Sequence, residues 1–215
     1  MVPTGRRDND EEPTHDMTRI LLIRSGATEF DEQGRIKGTL DIPLSHEGTA
    51  QVVQLVKELA DTPIDHLYSS PCRCAMQSAD VIAKSHKLKV RKLVELQNLD
   101  HGLWHGKLID EVKHSQPKVY RQLQERPETV CPPEGEPVGA ALDRVRAALA
   151  KLLKKHKTGT IALVVPEPIS SIVHSILAQC GLGDLWKVEC EGGGWQGIEV
   201  RPEAAQAAWR GVPTA

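Results

Sequence analysis

Two short, unbroken apolar runs, Arg19 to Ile23 (RILLI) and Thr160 to Val165 (TIALVV), constrain the fold of this chain more than any other feature. A strand without polar alternation has to be covered on both faces, which is the condition of a mostly parallel sheet packed between helices. The segments between them supply those helices. Ser45 can cap a helix in which Val52, Val53, Val56, Leu59 and Ala60 recur at helical spacing before Pro63 ends it. His66 to Ser69 then reads as a second strand, with Pro71 in the first turn of the next helix. Val138, Leu142, Val145, Leu149 and Leu152 form a later apolar stripe that closes on Lys154, Lys155 and Lys157, cations suited to a helix C-terminus. Ile169, Ile172, Val173, Ile176 and Leu177 mark the helix after the 160–165 strand, and short strands are expected at Trp186 to Cys190 and Gln196 to Val200. This order predicts an α/β three-layer sandwich, its mostly parallel central sheet flanked by helices through right-handed crossovers. Between them, 107–127 reads as helical pieces interrupted by Pro117, and 128–137 as a turn-rich stretch suited to a lid.

Composition sets the limits. At 215 residues and 40% hydrophobic content the chain can bury one core; only 3% of it is aromatic, so that core is aliphatic. A net charge of −2 predicts no general affinity for nucleic acid or an anionic membrane. The charged opening MVPTGRRDNDEEPTHDM lacks an apolar segment, so residues 1–17 read as a disordered leader rather than a secretory signal. The expected domain spans 18–201 and a tail spans 202–215. Five cysteines without framework spacing suit reduced thiols in a cytoplasmic protein. Cys72-x-Cys74 has no second ligand pair, so no metal is expected, and no cofactor motif is present.

Four segments carry the chemistry, and together they resemble one family. Arg24-Ser25-Gly26 follows the first strand; Ser69-Ser70-Pro71 follows the second; Leu96-Gln97-Asn98 leads to Gly102, Trp104 and Gly106; and Val165 runs into Pro166-Glu167-Pro168. With Thr28, Gly34, Arg35 and Pro132-Pro133-Glu134-Gly135-Glu136, these resemble the segments of the histidine phosphatase, or phosphoglycerate mutase-like, superfamily. The resemblance implies that fold, with a nucleophilic histidine at the position of Ser25, a phosphate-binding arginine at Cys74, a general acid at Asn98 and a second histidine at Glu167. None of the four is the residue the family pattern implies.

The chemistry follows from those exchanges. Phosphoryl transfer through histidine needs a neutral imidazole, cations on the phosphoryl oxygens and a proton donor for the leaving group. Of the matched set only Arg24 stays, and Asp31 stands where the pattern implies asparagine. Each carboxylate at ~5 Å from a phosphate would cost on the order of a few kcal/mol at an effective dielectric near 20. The expectation is therefore a catalytically inactive member with a binding or regulatory role, Glu167 pairing with Arg24 inside the old phosphate site. A small anionic or phosphorylated ligand is the expected partner, at Arg24, Asp31, Arg35 and Arg73, with Lys37 also near the mouth; a homodimer is allowed. Two alternatives stay open: a hydrolase with an altered site, using for instance a Cys74 thiolate beside Arg73 or a relocated histidine at His101 or His105, and an interaction protein using a surface such as Lys154 to Lys157.

Overall fold

The computed structural model describes residues 17–201. The expected leader, apart from Met17, and the expected tail lie outside them. Five strands form one sheet: β1 (Thr18–Arg24), β2 (His66–Ser69), β3 (Val90–Lys92), β4 (Gly159–Val165) and β5 (Trp195–Val200), in the order β3-β2-β4-β1-β5. The first four are parallel, and β5 closes the edge antiparallel to β1.

The unbroken apolar runs are explained by cover on both faces. Ile20 and Leu22 of β1 join Ile161, Leu163 and Val165 of β4 in one core, whereas Leu21, Ile23, Ala162 and Val164 point into a second core on the other side. The helices α2 (His46–Glu58) and α3 (Arg73–His86) cover the second. The larger core takes α6 (Val138–Lys155) and α7 (Ile169–Ala178), with the short α4 (Ile109–Ser115), α5 (Pro117–Glu125) and α8 (Leu185–Val188) beyond them. A further turn of helix, α1 (Glu29–Glu32), lies in the loop after β1.

Ser45 does cap α2, accepting from the Gly48 N–H at 2.9 Å, and Pro117 opens α5 rather than breaking a longer helix. Two local expectations need correction, and one strand is unexpected. Pro71 lies outside α3, which begins at Arg73. The stretch Trp186 to Cys190 is not a strand: Asp184 accepts from the Trp186 and Lys187 N–H groups, and that cap turns it into α8. The edge strand β3 is too short to show a period in sequence.

The loop after β1 is held down by a close approach that only glycine permits. A Cβ on Gly26 would lie 2.3 Å from the Gly48 carbonyl oxygen, and one on Gly48 would lie 1.9 Å from the Ala27 carbonyl oxygen. The start of α2 therefore packs directly on the backbone that leaves β1, which fixes the position of Arg24 and Ser25. Among the described residues no helix is long and apolar enough to cross a membrane.

Candidate active site

Parallel sheets put their loops for binding at the C-terminal ends of the strands. Here β1 ends in Arg24 and β4 in Val165, and the two are joined where the Ser25 N–H donates to the Val165 carbonyl at 2.9 Å. The chain after β4 turns through Pro166-Glu167-Pro168 into α7. Proline at the cap position has no side-chain acceptor, and Glu167 fills that role: its Oε2 accepts from the Ser171 N–H at 3.0 Å. Burial pushes the Glu167 carboxyl above its ordinary value, against the opposing pull of the Ser171 hydrogen bonds and the Arg24 charge. It is thus a carboxyl group that holds its proton to higher pH than a surface glutamate.

Beside it opens a cavity of about 210 Å³, bordered by Arg24, Glu167, Ser170, Ser171, His174 and Trp195. Ser170, Ser171 and His174 share one face of α7 because positions three and four apart are neighbours on a helix. Arg24 does not pair with Glu167, contrary to expectation. Its guanidinium meets the partly exposed carboxylate of Glu191, delivered by the segment between α8 and β5, and the Arg24 N–H donates to the Gly194 carbonyl at 3.0 Å.

The other expected site residues are placed elsewhere. Ser25 and Cys74 are buried together, the Ser25 hydroxyl donating to the Cys74 sulfur at 3.6 Å. Burial pushes the Cys74 thiol up to about 11, which disfavours the thiolate that the cysteine alternative needs, and Cys74 does not border the cavity. Asn98 is buried and donates to the Gly38 carbonyl at 3.0 Å. Asp31 faces inward, accepting from the Thr28 N–H at 2.7 Å and forming an ion pair with Lys37. Lys37, expected near the mouth, is buried and also donates to the Glu189 carbonyl at 3.3 Å. Burial pulls its ammonium down, and the charges of Asp31 and Glu189 together raise it above the ordinary value.

Arg35 donates to the Gly106 carbonyl at 2.7 Å, and exposed Arg73 offers only its backbone N–H, to Asp41. Neither borders the cavity. His101 is buried against Glu189 at 3.3 Å and His105 accepts from the His101 N–H, so neither is a relocated catalytic group at this cavity. Of the expected anion set, the cavity therefore receives Arg24 alone. Sequence reading missed His174 and Glu191; the one available signal for His174 was its helical spacing from Ser170 and Ser171 behind Glu167. Among the described residues no three His, Cys, Asp or Glu side chains converge as a metal site requires.

Residues 20–211 match the family model described as the histidine phosphatase superfamily (branch 1). The chain is 29% identical over 184 residues to phosphoserine phosphatase 1 of Hydrogenobacter thermophilus, covering 86% of this chain and 87% of that protein. It is 30% identical over 152 residues to phosphoglycerate mutase-like protein 4 of Arabidopsis thaliana, covering 69% and 66%. Among solved structures, a mycobacterial glucosyl-3-phosphoglycerate phosphatase superposes with a TM-score of 0.72 at 22% identity, covering 85% and 90%. These findings overturn the expectation of a catalytically inactive protein. A relative matched over nearly the whole chain bears the name of a phosphatase, and a hydrolase with an altered site is the reading that they support.

Proposed function

Since the chain belongs to the histidine phosphatase superfamily, we propose that it hydrolyses small phosphate monoesters through altered groups gathered at the cavity beside Arg24. The observation that carries this reading is the cavity itself, where a guanidinium, a protonatable carboxyl and an imidazole border one space of about 210 Å³. Arg24 takes the non-bridging phosphoryl oxygens, displacing Glu191, which is free to swing into solvent. His174 accepts a proton from a water molecule as its oxygen attacks phosphorus. The bond to the ester oxygen breaks as the new P–O bond forms, and Glu167, whose burial favours the protonated form, gives its proton to the leaving alkoxide. A neutral Glu167 also removes the repulsion that a carboxylate would exert on the phosphate. The name of the Hydrogenobacter relative makes phosphoserine the first substrate to try.

Release of inorganic phosphate from phosphoserine and from p-nitrophenyl phosphate tests the reading. His174→Ala and Glu167→Gln are each expected to lower kcat/KM by about 100-fold or more, the usual contribution of a positioned acid or base, and Arg24→Ala by about as much through loss of charge stabilisation. Absence of turnover by the parent protein above a mock purification, or full activity in all three variants, overturns it.

A further inference from the structure

The end of the sheet opposite the cavity has a charge pattern unlike the rest of the chain. Residues 84–92 (KSHKLKVRK) hold five Lys and Arg, residues 151–157 (KLLKKHK) hold four, and neither run holds an Asp or Glu, in a protein of net charge −2. All nine are exposed. The fold brings the two runs together: α3 and α6 both end, and β2, β3 and β4 all begin, at this edge. The Arg91 guanidinium donates to the Tyr68 hydroxyl at 3.2 Å, that hydroxyl lies 2.9 Å from His156 Nε2, and the His156 ring lies tilted against His66 with centroids 4.0 Å apart. Among the described residues only Lys151 of the nine has a carboxylate partner, Glu95 at 3.9 Å.

Two ordinary explanations cover part of this. Lysines in the last turns of α3 and α6 complement the helix dipoles, which accounts for Lys84, Lys154 and Lys155. Lysine on an edge strand discourages pairing between copies of one chain. The second explanation leaves the edge open to a strand of opposite charge. In a parallel pair alternate residues face the neighbour, and the Leu93 N–H is the one that donates to the Ser69 carbonyl, so the N–H groups of Val90 and Lys92 point away from the sheet.

We propose that β3 and the basic surface around it dock an extended acidic segment of a partner polypeptide, added to the sheet edge as a further strand. The free backbone groups give the pairing, and the flanking cations select an acidic sequence. A nucleic-acid backbone would use the charges and offers only acceptors to the strand N–H groups; it cannot supply the N–H donors that continue a strand ladder.

A labelled short peptide of alternating Glu and Val, followed by fluorescence anisotropy, tests the proposal on the full chain. The triple variant Lys89→Glu, Arg91→Glu, Lys92→Glu is expected to weaken binding at least about tenfold, a loss of ~1.4 kcal/mol. Val90→Pro keeps every charge and removes one edge N–H, and is expected to weaken the peptide while leaving the capture of a DNA duplex unchanged. If neither probe binds the parent protein, or if the duplex binds more tightly than the peptide and Val90→Pro alters neither, the proposal fails. Binding that emerges only after Asp8, Asp10, Glu11 and Glu12 are neutralised would give the surface to this chain's own acidic run and overturn an external partner.

Discussion

Glu167 is pulled in two directions, and its position decides which pull wins. The N-terminus of α7 and the Arg24 charge favour the carboxylate, but burial outweighs them and its ionisation is displaced upward. The folded protein therefore keeps a proton over a pH range in which the unfolded chain has released it. The associated stability is full below the ordinary carboxylate range and is lost as pH rises through the raised value. Glu167→Gln keeps an acceptor for the Ser171 N–H and has no proton to lose. Urea unfolding at a series of pH values should show the parent protein losing stability relative to Glu167→Gln across that window, and turnover of the parent should decline over the same interval. Parallel pH profiles for the two proteins would mean that Glu167 ionises as a surface carboxyl does. Little of this was legible in the sequence. Pro166-Glu167-Pro168 marks a turn after a buried strand, which is how the position was found, but the choice between Arg24 and the α7 backbone as the partner depends on where Glu191 arrives, from 167 residues away in the chain.

At the scale of elements, the loop between β1 and α2 is tied to the segment after α8 by the buried Lys37, which meets Asp31 in its own loop and the Glu189 carbonyl across 152 residues of sequence. Breaking such a pair from one side leaves an uncompensated buried charge. Lys37→Met is expected to destabilise the protein by about 3–5 kcal/mol in urea unfolding, and adding Asp31→Asn should recover part of the loss. A cost below about 0.5 kcal/mol, as for an ordinary surface substitution, would show that water reaches Asp31 freely. The sequence places Lys37 only near the mouth of the site, since its neighbours Gly34, Arg35 and Gly38 say nothing about what folds over it. Elements whose signal is local fare better. The caps, spacings and apolar runs of β1, α2, β2, α6, β4 and α7 are readable because each helix keeps one apolar face on a core and each strand is buried on both faces. The stretch after Trp186 is misread because the cap from Asp184, a single side chain, overrides its strand-like composition.

Across the whole molecule the two proposed surfaces are set apart on one sheet: Arg24 and Glu167 at the C-terminal end of β1 and β4, and the basic surface along the outer edge strand β3 and at the N-terminal end of β4. The alternation of strands and helices in the sequence fixes the first end, because parallel strands place their binding loops together. It could not reveal the second, because Lys84 to Lys92 and Lys151 to Lys157 look like separate helix-end and loop charges until the sheet order sets β3 beside β2 and β2 beside β4. Three strand spacings separate β3 from β1, about 14 Å across the sheet, beyond the range at which substitutions ordinarily couple. The two functions should therefore be separable. Arg24→Ala is expected to abolish phosphoserine turnover with unchanged binding of the acidic peptide, and the charge-reversed β3 variant to lose the peptide while kcat/KM stays within about twofold, a difference under ~0.5 kcal/mol. In the combined variant the effects on unfolding free energy should add within about 0.5 kcal/mol, since among the described residues no ion pair joins the two surfaces. A larger coupling would mean that β1 and β4 transmit strain between them. Occupancy of the basic edge would then alter the geometry at Arg24, and the acidic segment would be a regulator of the phosphatase rather than a tether for it.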